Sequence, residues 1–278
     1  MVKVRGTWGD TPFVLCQPVG MNTDVQAWRE FRTAREAELV RPHGWLTLQG
    51  FHWVPEEPAA LAGLPGLWST DGEDARVEAA AADGLTVDGE AVDGVSTKTV
   101  AETGRVPWLQ WGDREIELLR RGGRLAVRQR AETSPDREGF AGVPTFDHDP
   151  AWVVRARFLP APDGRKVDVA THRPDLRQNL PAPGDIEFTL DGQPQRLTAT
   201  TIKAGLSIEF HDPTNGTETE AWRQLKFDDP DEEGYVTLDF NRTINMWFAF
   251  TDHATCPAPA AGNTITVPVR AGERRAHR

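Results

Sequence analysis

Cysteine and lysine are scarce in this chain of 278 residues, tyrosine occurs once, and no long apolar run is present. Two cysteines, Cys16 and Cys256, cannot build a disulfide framework. Two free thiols in a reducing compartment are expected, with one bridge as the alternative. No stretch approaches the ~18 apolar residues of a membrane helix. The opening "MVKVRGTWGDTPFVLCQPVG" lacks the continuous apolar segment of a secretory leader. The chain therefore reads as soluble and cytoplasmic, with no membrane partner. Lys and Arg together number 31 against 42 Asp and Glu, a formal charge of −11, which argues against a nucleic-acid partner.

Sequence motifs of common chemistries are also missing. There is no Walker loop, no G-x-G-x-x-G, no H-E-x-x-H and no G-x-S-x-G. His253-x-x-Cys256 supplies half of a zinc spacing, but the chain has no second pair to complete four ligands. No metal and no cofactor are expected.

What is abundant is Trp, with 10 against a single Tyr. Trp buries much area and brings an N–H that needs a partner, so these residues serve a core, a ligand pocket, or both. Arg greatly outnumbers Lys, and Ala, Gly, Pro and Asp are frequent, a composition suggestive of a GC-rich bacterial genome.

One helix is legible. In "NTDVQAWREFRTAREAELVRP" Thr23 or Asp24 can cap, Gln26 follows as in a capping box, and Pro42 ends the run. Val25, Trp28, Phe31 and Leu39 form its apolar stripe, and Arg29, Arg32 and Arg35 read as a solvated face. Short strands follow. "GWLTLQGFHWV" reads as buried, and Pro55–Gly104 as weak strands and loops with Asp-Gly turns. Hairpins turn at Gly122-Gly123, at Asp191-Gly192 and at Asn215-Gly216. Trp152, Val154, Ala156 and Phe158 alternate onto one strand face, as do Val236, Leu238 and Phe240. Alternation in the third hairpin puts Glu218, Glu220 and Trp222 on one face. "NTITVPVRAGE" reads as a last, edge strand because of Pro268. The fold class expected is mostly β, an antiparallel β-sandwich or flattened barrel with one N-terminal helix. Residues 1–22 form an extension, 23–273 a single β-rich domain with a possible two-lobe split near 171–185, and 274–278 a tail.

The densest chemistry lies in "DFNRTINMWFAFTDHATCP", from Asp239 to Pro257. Asp239 sits among apolar strand neighbours, so it is braced by an arginine, exposed, or set in a pocket as an acid or base. Arg223 or Arg242 is the partner available. Met246, Trp247 and Phe248 are too apolar for an exposed loop, and Asn245, Asp252 and His253 flank them. A few polar groups around an apolar wall is how small-molecule sites are built. Cys256 with His253 is a weaker nucleophile–base pairing.

Several stretches in fixed order resemble one family. They are "AWREFRTAREAELVRPHGWLTLQGFHWV", "LLRRGGRLAVRQRAETSPDREGFAGVPTFDHDPAWVVRARFLP" and "FHDPTNGTETEAWRQLKFDDPDEEGYVTLDFNRTINMWFAFTDHATCPAPAAGNTITVPVRAGE". The chain is similar, over roughly Asp24 to Glu273, to the bacterial and archaeal family catalogued as domain of unknown function 1684. The resemblance implies no activity. It marks Asp212, Thr214, Gly216, Thr219, Arg223, Asp239, Asn241, Asn245, Cys256, Asn263 and Glu273. Where the family has Asn-Pro-Pro-Cys-Ala, this chain has Asn245-Met246-Trp247-Phe248-Ala249, so the first of two nearby cysteines is gone and the region is bulkier. It is a divergent member by this reading.

The expectation is a small-molecule enzyme, a tailoring enzyme of bacterial secondary metabolism. Its ligand has an apolar body and a polar carbonyl or carboxylate. Asp239 is the acid or base and Arg223 the orienting cation. Asn241, Asn245, Trp222, Trp247, Phe248, His253 and Cys256 hold the ligand. The alternative is a non-catalytic small-molecule-binding protein using the same pocket.

Overall fold

The computed structural model describes residues 19–201 and 205–276, with side chains from residue 25 onward. Cys16 lies outside them. The helix runs Val19–Val40. It therefore starts ahead of the cap expected at Thr23 and Asp24. Everything after it is mostly β, and every strand ladder is antiparallel. The hairpin turns fall where glycine or aspartate accepts a positive φ. Asp191 (φ 50°) and Gly192 (φ 71°) join Gly184–Leu190 to Gln193–Thr201, and Gly122 (φ 58°) and Gly123 (φ 75°) join Arg114–Arg121 to Arg124–Arg130.

The strands form two groups. Between Leu48 and Arg130 a sheet of six strands faces a smaller one of four. Trp68, Ala75 and Val77 of the smaller sheet pack on Ile116, Leu118 and Val127 of the larger. Between Val153 and Asn245 a sheet of seven strands runs from Tyr235–Asp239 at one edge to Ile244–Asn245 at the other. The stretch 171–185 lies inside this second group. Its Arg177–Pro181 pairs with Lys166–Ala170 as a small ribbon.

The alternation read for Trp152–Phe158 and Val236–Phe240 holds: both rows enter the core of the second group. "NTITVPVRAGE" differs. Ile265, Val267, Val269 and Ala271 do alternate into that core. They do so as an extended strap held by side chains rather than a ladder strand: Gln195 Oε1 accepts from Thr266 N (3.0 Å) and Asp212 Oδ1 from Val269 N (3.3 Å). Pro268 brings no N–H to a ladder. The third hairpin also differs. Its strands are Leu206–Phe210 and Arg223–Phe227, and the chain between them is a hydrogen-bonded loop. The shared face expected for Glu218, Glu220 and Trp222 is thus absent: Glu218 pairs with Arg270, Glu220 accepts from Ala276 N, and Trp222 turns inward.

The helix arginines are a further correction. Arg29 is exposed, but Arg32 and Arg35 are buried. Both reach Glu273, at 2.6 and 3.1 Å, and Arg35 also donates to the Asn245 carbonyl (2.8 Å). A fully buried carboxylate at the end of the strap needs cations, and the helix brings them.

Candidate functional site

The polar residues expected to floor a pocket are fasteners in the structure. Asp239 ends its strand and caps the turn Phe240–Arg242: one oxygen accepts from Asn241 N and Nδ2, the other from Arg242 Nε at 3.1 Å. Asn241 bonds both backbone groups of Asp149, each at 3.0 Å, and its carbonyl takes the Trp28 indole N–H. Arg223 pairs with Asp212 (2.9 Å) and donates to the carbonyls of Val269, Ala271 and Glu273. It sits opposite Asn245 in the sheet, and Asn245 donates its backbone N–H to Glu273 and its side chain to the Arg274 carbonyl. Arg223 and Asn245 thus meet, while Asp239 joins Arg242 instead of Arg223. Thr214 and Thr219 complete the Asp212 end of this network, and Asn263 bonds Thr198 and the Glu209 carbonyl. Together these residues clamp the helix and the strap to the sheet.

The apolar wall is assembled. Trp222 lies 4.2 Å from Phe248 between ring centroids, and His172 stacks on Phe248 at 5.0 Å. Met246, Ala254 and Cys256 pack with them. Backbone bonds bring His172 there: its N–H donates to the Cys256 carbonyl at 2.8 Å. The Trp222 indole donates to the Pro257 carbonyl (3.0 Å). Trp247 also touches this wall, but its main contact is Trp45, on which it stacks at 4.4 Å with Arg35 over its ring. It rivets the two β groups together. His253 is half-buried, and burial pushes its imidazole down. Burial pushes the Cys256 thiol up to about 11, so it stays protonated at neutral pH. A Cys256–His253 nucleophile pair finds no support in these environments.

Two residues that sequence reasoning passed over stand out. Buried carboxylates Glu117, Asp212 and Glu273 are each paired with arginine. Glu209, 3% exposed, is held only by neutral groups among the described residues: Gln224 Nε2 at 2.7 Å, Ser207 Oγ at 3.1 Å and Thr200 Oγ1 at 3.3 Å. Burial pushes its carboxyl up. Of the buried arginines, Arg32, Arg35, Arg130 and Arg223 all have carboxylates. Arg128, 1% exposed, has none within ion-pair distance among the described residues; it donates to Thr255 Oγ1 (2.7 Å) and its Nε has no partner. Burial lowers its guanidinium to about 9. Both groups act on the Cys256 thiol, Arg128 drawing its pKa down and Glu209 pushing it up. An acid held only by neutral groups and a guanidinium outside any ion pair, though opposite Glu117 in the ladder, thus both bear on Cys256. Among the described residues no cluster of His, Cys, Asp and Glu suits a metal ion.

Residues 138–274 match the family described as "Protein of unknown function (DUF1684)". The second half of the chain is a DUF1684 segment. No curated protein matches the chain. Among solved structures, an uncharacterized protein of Haloarcula marismortui, determined by NMR in solution, is similar at 28% identity. The likeness covers 51% of this chain and 80% of that one, with a TM-score of 0.43. The DUF1684 segment supplies Glu209, Trp222, Phe248 and Cys256. Arg128 and Trp45 lie ahead of it, so the site straddles its boundary.

Alternation offered a signal for Glu209, which lies between Ile208 and Phe210 and so points away from their core. A polar strand face is read as solvated unless something covers it. Arg128 raised the same ambiguity in "RLAVRQR". Nothing local announces that Thr255, from a distant stretch, lies against it.

Proposed function

We propose that this protein binds a small organic molecule with an apolar body and a carbonyl or carboxylate end, and acts on it by acid–base chemistry without a redox cofactor. The observation that carries the reading is the pair of buried ionisable groups outside any ion pair, Arg128 and Glu209, that both bear on Cys256. Burying an ionisable group outside an ion pair is costly, and such groups cluster at functional sites. Arg128 would meet the carboxylate, or the oxygen on which charge develops. Glu209, whose carboxyl burial pushes up, would donate a proton. Trp222, Phe248 and His172 would take the body, and half-buried Trp222 and His172 give the approach from solvent. The acid and cation roles expected of Asp239 and Arg223 pass in this reading to Glu209 and Arg128.

A non-catalytic binding protein is the second reading. It is favoured by one observation: both Glu209 oxygens are already engaged by neighbours, one by Gln224 and Ser207, the other by Thr200. A cytoplasmic location belongs to the same proposal and is supported by the free buried thiol of Cys256. No helix among the described residues is long and apolar enough to cross a membrane.

A thermal-shift screen of arylalkyl carboxylates, with the matching aldehydes, amides and alcohols, tests the proposal. Carboxylates or aldehydes should stabilise the wild type and lose that effect in Arg128→Gln. Mass spectrometry of the incubated binders then separates turnover from binding alone. Stabilisation by the alcohols only, unchanged in Arg128→Gln, would remove the site from consideration.

A further inference from the structure

A cavity of about 560 Å³ opens where three parts of the chain meet. Leu46 comes from the first β group, Phe140 and Pro144 from the loop before the seven-stranded sheet, Ala249 and Phe250 from the segment after Phe248, and Ala276 from the end of the strap. Its volume lies within the roughly 300–1,000 Å³ of small-molecule sites, and the predominance of apolar lining is typical of them. The loop reaches the helix because Gly142 holds a φ of +98° with Glu36 close by; a Cβ there would lie 3.3 Å from Glu36 Oε1. Glu36 also accepts from Val143 N at 3.1 Å and pairs with Arg32 at 3.2 Å.

The described lining carries charge of one sign. Asp136, an exposed residue at its rim, is the only charged side chain among the described lining residues. The nearby cations are hydrogen-bonded away from the lining. Arg137 donates to the Val40 and Glu132 carbonyls, and Arg35, 5.6 Å from the Phe250 ring, pairs with Glu273. We infer that this cavity is a binding site for an apolar chain or ring carrying an amine, the body against Phe140 and Phe250 and the ammonium at Asp136. It is separate in residues and in charge from the Arg128–Glu209 site, which suits an anion.

Calorimetric titration with n-octylammonium, n-octanoate and n-octanol tests this. The wild type should bind octylammonium at least about tenfold more tightly than octanoate. Asp136→Asn, a surface change, should remove that preference and leave octanol binding as it was. Ala141→Trp, on an exposed lining residue, should abolish binding of octylammonium and octanol by filling the cavity. Arg128→Gln should leave octylammonium affinity unchanged, which separates this site from the one proposed above. Equal affinity for octanoate and octylammonium in Arg128→Gln, retention of the preference in Asp136→Asn, or no binding of octylammonium at all would each overturn the inference.

Discussion

Asp212 and Asp239 show how differently two carboxylates of one chain can matter. Asp212 and Arg223 are both fully buried, so Asp212→Asn strands a guanidinium in the core and should cost about 3–5 kcal/mol in urea unfolding. Asp239 and Arg242 are partly exposed, at 23% and 39% of their side chains, and solvent screens them. Asp239→Asn should cost roughly 1 kcal/mol or less. Equal losses would mean that Asp239 carries more than its brace. Glu209 offers a test of sign. Its folded pKa lies above its unfolded value. Below the unfolded value both states are protonated and the group contributes nothing. As pH rises above it the unfolded chain ionises first, and the folded state loses up to about 1.4 kcal/mol per pH unit until Glu209 itself ionises. Glu209→Gln lacks this loss. Its urea midpoint should gain on the wild type as pH increases above the normal glutamate range. Parallel curves would show that Glu209 is charged in the folded protein.

At the scale of elements, the strap is the feature on which the polar network converges. Gly272 has φ +74°, and a Cβ there would sit 2.4 Å from the Thr243 carbonyl oxygen. Neighbouring backbone bonds, Glu273 N to Thr243 O (2.9 Å) and Phe146 N to Gly272 O (3.0 Å), leave no room to shift. Gly272→Ala should therefore destabilise by about 2–3 kcal/mol and speed proteolysis near the C-terminus. Wild-type protease resistance in this variant would mean that the strap is not a clamp. The strap also shows where sequence reading stops. Its alternation of Ile265, Val267, Val269 and Ala271 was legible, because apolar periodicity reports which side is buried. Its lack of a ladder was not, because the substitute bonds come from Gln195 and Asp212, far away in the chain. Arg32 and Arg35 were read as solvated for the same reason. Spacing along a helix carries no information about a carboxylate that arrives more than two hundred residues later.

For the molecule as a whole, architecture was more legible than the site. Strand periods, turn residues and a single helix are local signals, and the mostly β antiparallel fold followed from them. The aromatic half of the site was legible too, since Trp222, Phe248 and Cys256 do converge. The charged half was not. Arg128 and Glu209 become unusual only when two β groups close over them and the other buried carboxylates and guanidiniums among the described residues are seen to sit in ion pairs. That closure runs through the Trp45–Trp247 stack and the Arg128–Thr255 bond. The account's central claim is that these two buried groups, neither in an ion pair, serve one ligand. The most direct measurement is a calorimetric double-mutant cycle with wild type, Arg128→Gln, Glu209→Gln and the double variant. It would use the arylalkyl carboxylate that stabilises the wild type most. The account predicts that Arg128→Gln weakens binding at least about tenfold, or ~1.4 kcal/mol, and that the Glu209→Gln effect shrinks once Arg128 is gone. Affinity unchanged in both single variants, or two effects that simply add, would contradict it.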